Sequence, residues 1–198
     1  MRRARIFPII LAAGGPGTLP FPKPLAQFGR KSALELAIEN CAGLEPPIVV
    51  LGYQAAQVRK KVPGGARVVV NRNWRQGQLT SLLAGLRKVQ RRAPFLLYPV
   101  DQPLLTKTLV ARLAREFTAR EPQEKIVMPR GGKRAGHPIL CHGDLRLELR
   151  AASTAREVVY RDPARIKYVP VRDAAIWQDY DSVSSYRRCL RLYVARNP

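Results

Sequence analysis

Acidic residues are scarce in this chain. Its 198 residues include 14 Asp plus Glu against 35 Lys plus Arg, a net charge of +21. Histidine occurs twice, and cysteine three times (Cys41, Cys141, Cys189), never as Cys-x-x-Cys. An odd number of thiols without that spacing argues against a disulfide framework and against a structural zinc site; it fits free thiols in a reducing compartment. Long apolar runs are missing too. Unbroken apolar runs such as PIVVLG and FLLYPV are short, and none approaches the ~20 residues of a membrane-spanning helix. The opening Met-Arg-Arg-Ala-Arg leads into a short apolar stretch interrupted at Pro8, less than the roughly 7–15 residues of a secretory h-region. The expectation is a cytoplasmic protein with no export signal and no membrane partner.

What is present is enough apolar material for a core: 46% of the residues are hydrophobic. A positive balance of this size attracts polyanions, whether nucleic acid, membrane surfaces or phosphorylated small molecules. The cations are dispersed, however, as pairs at 2–3, 60–61, 91–92 and 187–188, with no basic run of five to eight residues and no aromatic ladder. Specific nucleic-acid binding is therefore not expected. No linker, repeat or low-complexity segment interrupts residues 1–198, which read as one domain.

Strand and helix signals alternate. Strands are expected at 5–13, 46–52, 66–71, 94–101 and 125–129, and helices at 31–43 (Ser32 as cap), 54–62, 78–92 and 106–120 (Thr106 as cap). Strands at 137–141 and 164–171, helical pieces at 143–150 and 153–160, and a helix over 182–194 complete the chain. Apolar strands in β-α-β order predict a mostly parallel sheet with helices on both faces, a three-layer Rossmann-like α/β fold. In such sheets ligands bind at the carboxyl ends of the strands.

The first of these ends reads LAAGGPGTLPFPK (11–23). Small residues let a ligand approach the backbone, and successive free N–H groups form a concavity for phosphate oxygens. Leu11, Ala12, Ala13, Gly14 and Gly15 are thus candidates for nucleotide binding, with Lys23 as a point charge at the exit. The stretch is neither a Walker loop, which needs Gly-Lys-Ser/Thr, nor a Gly-x-Gly-x-x-Gly fingerprint. Asp101 ends the fourth strand and Asp181 precedes the last helix. Two carboxylates from distant segments that meet at the sheet edge could hold Mg²⁺, which takes one or two carboxylates plus phosphate oxygens and water. The plainer alternatives are a turn-starting acid at 101 and a helix cap at 181.

The LAAG stretch followed by Pro22-Lys23 resembles the nucleotidyltransferases with a glycosyltransferase-A-like Rossmann fold. Three further segments narrow the resemblance to the MobA-like, molybdenum-cofactor nucleotidyltransferases and their cytidylyltransferase branch. These are NRNWRQGQLTSLLAGL (71–86), DQPLL (101–105) and GHPIL (136–140); DYDSVSSY (179–186) is similar to the family's closing Asp-x-Asp segment. The chain departs from the pattern in the first loop, where the family's serine, arginine and glycine positions are Pro16, Thr18 and Pro20.

The resemblance implies a Mg²⁺-dependent transfer of a nucleoside monophosphate, CMP from CTP, to a phosphorylated acceptor, molybdopterin, with release of pyrophosphate. Lys23 and Asp101 would be catalytic, and Asp101 and Asp181 would hold the metal. Asn71 and Ser81 would help bind nucleotide, and His137 the acceptor. An acceptor phosphate is already ionised at neutral pH, so no general base is needed, which suits a chain with two histidines. Ala13 makes LAAG rather than LAGG, a difference that goes with cytidine in the resembling families. Two other readings remain open: a sugar- or polyol-phosphate acceptor, or a catalytically impaired nucleotide-binding relative that serves a molybdoenzyme as chaperone or partner.

Overall fold

The computed structural model describes residues 4–197. In chain order the elements are β1 (Phe7–Ala12), β2 (Gln27–Phe28), β3 (Lys31–Ser32), α1 (Ala33–Asn40), β4 (Ile48–Leu51), α2 (Ala55–Arg59), β5 (Arg67–Val70) and α3 (Gln78–Leu86). They continue with β6 (Phe95–Pro99), α4 (Lys107–Thr118), β7 (Ile126–Gly131), β8 (Arg134–Ala135), β9 (Ile139–Cys141), α5 (Leu145–Ala151), α6 (Ala155–Tyr160), β10 (Ile166–Pro170) and α7 (Val183–Arg196).

The main sheet runs in the order β10-β7-β9-β6-β1-β4-β5, with β8 added on β7. Strands β6, β1, β4 and β5 are mutually parallel, and so are β7 and β10. The sheet is mostly parallel, as the alternating pattern implies. β9 departs from that pattern: it lies antiparallel between β6 and β7. Its chain enters from the β7–β8 hairpin, so no crossover helix turns it around, and a hairpin return delivers an antiparallel strand.

Side-chain alternation explains why the central strands look apolar throughout. In β1, Ile10 and Ala12 join the core under α1 and α4, whereas Phe7, Ile9 and Leu11 join the core under α3, α5 and α6. Both faces of the strand are covered, so every position is buried, as in other parallel sheets. α4 places Val110, Leu113 and Phe117 on its buried face, at helical spacing. A half-buried amide links the layers: Asn40 Nδ2 donates to Tyr98 Oη at 3.0 Å and to the Leu105 carbonyl at 2.7 Å.

Several boundaries differ from the sequence reading. Lys31 and Ser32 belong to a β2–β3 hairpin, and Ser32 then caps α1 in a reciprocal pair with Glu35, a capping box. α3 stops at Leu86 rather than at 92. Turn bonds from Lys88 N to Gly85 O and from Val89 N to Leu86 O close it. Arg92, at φ 63°, then reverses the chain toward β6.

Candidate active site

The parallel pairing of β1 with β6 puts their carboxyl ends side by side, Leu11 opposite Pro99. The next residues, Ala12 to Gly15 on one side and Val100 and Asp101 on the other, border one cleft of about 310 Å³. β4 ends beside them. Tyr53 N donates to the Ala13 carbonyl at 3.0 Å, and a side chain at Gly52 would put its Cβ 2.6 Å from that same oxygen. Glycine at 52 is what lets the two strand ends close up. Leu11, Ala12, Ala13, Gly14, Gly15, Lys23, Ser81 and Asp101 all line this cleft, together with Trp74, Arg75 and Gln78.

Lys23 and Asp181 are 158 residues apart in the chain yet form an ion pair, and the same ammonium reaches Asp101 Oδ2 at 3.2 Å. The lysine therefore sits between the two carboxylates. Asp181 is free for this because Ser182 takes the cap of α7, accepting from Ser185 N; the helix-cap alternative for Asp181 does not apply. Tyr180, fully buried, donates its hydroxyl to the Lys23 carbonyl at 2.8 Å. Burial raises its phenol well above the usual value, so it stays a donor. Burial also raises the Asp101 carboxyl, with Lys23 pulling in the opposite direction.

The glycine-rich loop divides its duties. Gly14 and Gly15 border the cleft. Gly17 does not: it stands at φ +65° with an added Cβ only 2.1 Å from the Asp181 carbonyl oxygen. Thr18 N donates to that same oxygen at 3.0 Å. This half of the loop is fastened to the Asp181 backbone, and the Thr18 amide is not free for a phosphate.

Asn71 is not brought to the cleft. It is buried, with its amide donating at 2.9 Å to both Thr80 Oγ1 and Ser81 Oγ while its oxygen accepts from Asn73 N at 3.0 Å. Both amide hydrogens are used. Asn71 therefore fixes the start of α3, and Ser81 with it, and has no free donor for a base. Trp74 packs edge-to-face on Tyr53 with ring centres 5.8 Å apart and lies against Gly15.

A second, larger cleft of about 690 Å³ shares Gln78 with the first and contains His137, Gln102 and Asp179. His137 is pushed down to about 4 by burial. The sequence reading assigns Gln102 and Asp179 no ligand role, although both adjoin residues it singles out. The basic and aromatic wall formed by Arg130, Arg134, Arg156, Tyr168 and Trp177 also goes unread, because its members come from four separate segments. A Lys/Arg-rich stretch before Gly-His-Pro was the available signal.

Among the described residues no three or more His, Cys, Asp or Glu side chains gather at metal-ligating spacing, and no helix is long and apolar enough to cross a membrane.

Comparison with known proteins agrees with this geometry. Nicotine blue oxidoreductase of Paenarthrobacter nicotinovorans is 28% identical over 194 residues, covering 92% of this chain and 95% of that protein. The crystal structure of Rv0371c from Mycobacterium tuberculosis H37Rv superposes with a TM-score of 0.83 at 27% identity, covering 96% of this chain and all of the other. That protein has also been crystallised with manganese, a structure that matches at 25% identity and a TM-score of 0.78 over 95% of this chain and 99% of the other. A nucleotidyl transferase from Methanothermobacter thermautotroptrophicus shares the fold at 21% identity, with a TM-score of 0.83 over 97% of this chain and 99% of its own. Residues 8–165 match the family described as the MobA-like NTP transferase domain. The chain belongs to this family, and is a nucleotidyltransferase of the MobA-like type.

Proposed function

We propose that the protein transfers CMP from CTP to a phosphorylated acceptor, molybdopterin, with Mg²⁺ as its metal, and releases pyrophosphate. The observation that carries this reading is the meeting of Lys23, Asp101 and Asp181 at the mouth of the cleft edged by Leu11–Gly15. In this reading the triphosphate lies along the Gly14–Gly15 backbone, with the base over Ala13 and Ser81. Lys23 leaves its carboxylate partners and turns to the phosphate oxygens, where charge accumulates as the leaving pyrophosphate departs. Catalysis then consists of positioning and cationic stabilisation, and the ionised acceptor phosphate attacks without a base.

The residues present fit a divalent metal. Asp101 and Asp181 are hard oxygen donors already arranged about one cation, the Lys23 ammonium. A pair of carboxylates, with phosphates and water supplying the other ligands, is the pattern Mg²⁺ prefers. Bound there, the metal would neutralise charge on the phosphates. Ala13, buried beside the Gly52 turn, supports cytidine through the space it takes under the base.

The test is pyrophosphate release with CTP, GTP, ATP and UTP, each with Mg²⁺ or Mn²⁺, and with molybdopterin, sugar phosphates or polyol phosphates as acceptor. Turnover is expected with CTP and molybdopterin. Turnover only with a sugar or polyol phosphate refutes the acceptor, and turnover with another nucleotide refutes the base. A second reading is favoured by Thr18, whose exposed side chain replaces the family's arginine, and by a 28% identical relative that is named an oxidoreductase. Here the cleft binds a nucleotide without transferring it. Metal-dependent nucleotide binding with no pyrophosphate from any pair supports that reading.

A further inference from the structure

The smaller cleft, bordered by Leu11–Gly15, is short of cations for a triphosphate. Residues 11–22 contain no Lys or Arg, and the cations that line the cleft are Lys23 and Arg75. Lys23 is already matched by two carboxylates, Asp101 and Asp181. The basic pair beyond the first loop gives no help. Arg30 and Lys31 do not line the cleft, and Lys31 is held by Glu39 at 2.6 Å. Arg75 is exposed, and among the described residues it is in no ion pair.

The turn that carries Arg75, Trp74–Gln76, is held at both ends. Asn71 Oδ1 accepts from Asn73 N at 3.0 Å, Thr80 Oγ1 donates to the Asn73 carbonyl at 3.1 Å, and Gly77 N donates to the Trp74 carbonyl at 3.3 Å. The Arg75 guanidinium lies over the Trp74 ring, 4.6 Å from its centre. The edge of that ring borders the first loop: a Cβ on Gly15 would stand 3.6 Å from it. On the β4 side, Gly52 leaves room for the indole, since a Cβ there would come within 2.6 Å of the Trp74 Cβ. A guanidinium stacked on a seated ring keeps its N–H edge free for bidentate pairing with phosphate oxygens.

We propose that Arg75 is a catalytic residue whose guanidinium binds the β- and γ-phosphates and stabilises pyrophosphate as it leaves. Its position assigns it to that end of the triphosphate. With the base over Ala13 and Ser81, the phosphates run past Gly14 and Gly15. The indole beside Gly15, and the cation on it, then stand at the leaving-group end. In the reaction the acceptor oxygen bonds to the α-phosphorus as the bond from that phosphorus to the bridging oxygen breaks. The electron pair of the broken bond stays on pyrophosphate, and Arg75 offsets the charge that collects there. No proton moves to or from Arg75. The inference rests on this cleft being the triphosphate site; it needs neither the preference for cytosine nor a particular acceptor.

The test is calorimetric titration of the intact protein with CTP, CMP and pyrophosphate, each with Mg²⁺, beside rates of pyrophosphate release. The proteins are the wild type, Arg75→Ala and Arg75→Lys. Arg75→Ala should bind CTP and pyrophosphate about tenfold to a hundredfold more weakly and leave CMP unchanged, a pattern a misfolded variant cannot give. Its kcat/KM should fall by about 10²–10³. Arg75→Lys keeps the charge but loses the flat fork, and should recover only part of both losses. Added guanidinium, well below denaturing concentration, should restore part of the Arg75→Ala rate, whereas tetramethylammonium should not. An equal loss of CTP and CMP binding, as a disturbed turn would give, overturns the proposal, and so does an unchanged affinity for pyrophosphate. If no acceptor gives turnover but the selective loss holds, the transfer reaction falls and Arg75 stands as the contact to the β- and γ-phosphates. Turnover that persists unchanged in Arg75→Ala gives the reverse: the transfer stands and the assignment of Arg75 falls.

Discussion

Replacing Asp101 by asparagine separates what the site needs from what the fold needs. The substitution keeps the shape and removes the charge. Lys23 loses a charged partner at 3.2 Å but keeps Asp181. In the proposed reaction it also removes one of two carboxylates for the metal, and losses of a single preorganised electrostatic group cost about 10²–10³ in kcat, or roughly 3–4 kcal/mol. Stability should move the other way. Burial raises the Asp101 carboxyl, so the folded chain holds that proton more tightly than the unfolded chain. Its contribution is fully present below the unfolded value and is lost as pH rises through the folded one. As pH rises above the ordinary carboxylate range, ionising this group places a charge at a poorly hydrated site in the metal-free fold, and asparagine relieves that cost. Each unit of upward displacement is worth about 1.4 kcal/mol, and each kcal/mol about 2–4 °C in Tm for a chain of this size. The assay pairs pyrophosphate release with thermal melts in chelator at pH 4 and pH 7. The variant should melt at or above the wild type at pH 7, with the gap closing toward pH 4, and should be nearly inactive. An unaffected rate, or a melt lowered by several degrees at pH 7, refutes the reasoning.

Lys23→Ala should lower kcat by about 10²–10³ and, with the competing ammonium gone, tighten Mn²⁺ binding in the absence of nucleotide; paramagnetic resonance reads the second effect, and weaker binding would count against a shared cation position. Gly17→Ala sets a Cβ 2.1 Å from the Asp181 carbonyl oxygen at φ +65°. Strain of this kind costs about 1–3 kcal/mol, and urea melts should show it along with reduced activity; an unchanged melt would mean that the loop yields freely. His137, pushed down to about 4 from 6.5, contributes stability that is present above pH 6.5 and lost as pH falls through about 4, at most about 3 kcal/mol. Urea denaturation across that window should show the slope, and His137→Gln should flatten it.

Most of the sheet was legible because parallel strands buried on both faces leave continuous apolar runs, as in Phe7–Ala12 and Ile48–Leu51. β9 was legible as a strand but not in direction, since direction depends on the connection entering it. The short β2–β3 hairpin gave no periodic signal, having two residues on each side. In the candidate site, Asp101 and Asp181 stand out because carboxylates at strand and helix ends are conspicuous in an acid-poor chain, and Lys23 because it closes the glycine-rich turn after β1. Tyr180 and Gln102 did not. Each looks like core or turn until the fold shows which atom it faces: the Lys23 carbonyl for one, an open cleft for the other. Asn71 shows the opposite difficulty, since a polar residue at a strand end can be consumed by the next helix.

The fastening of Gly17 and Thr18 to Asp181 has a consequence for how the enzyme is made. The matched family segment ends at residue 165, whereas the anchor of the first loop and one of the two acids around Lys23 come later. During synthesis the whole glycine turn leaves the ribosome long before its anchor. A growing chain can therefore assemble most of its sheet while its entrance loop is still unpinned, and this cleft matures only when the segment around Asp181 docks.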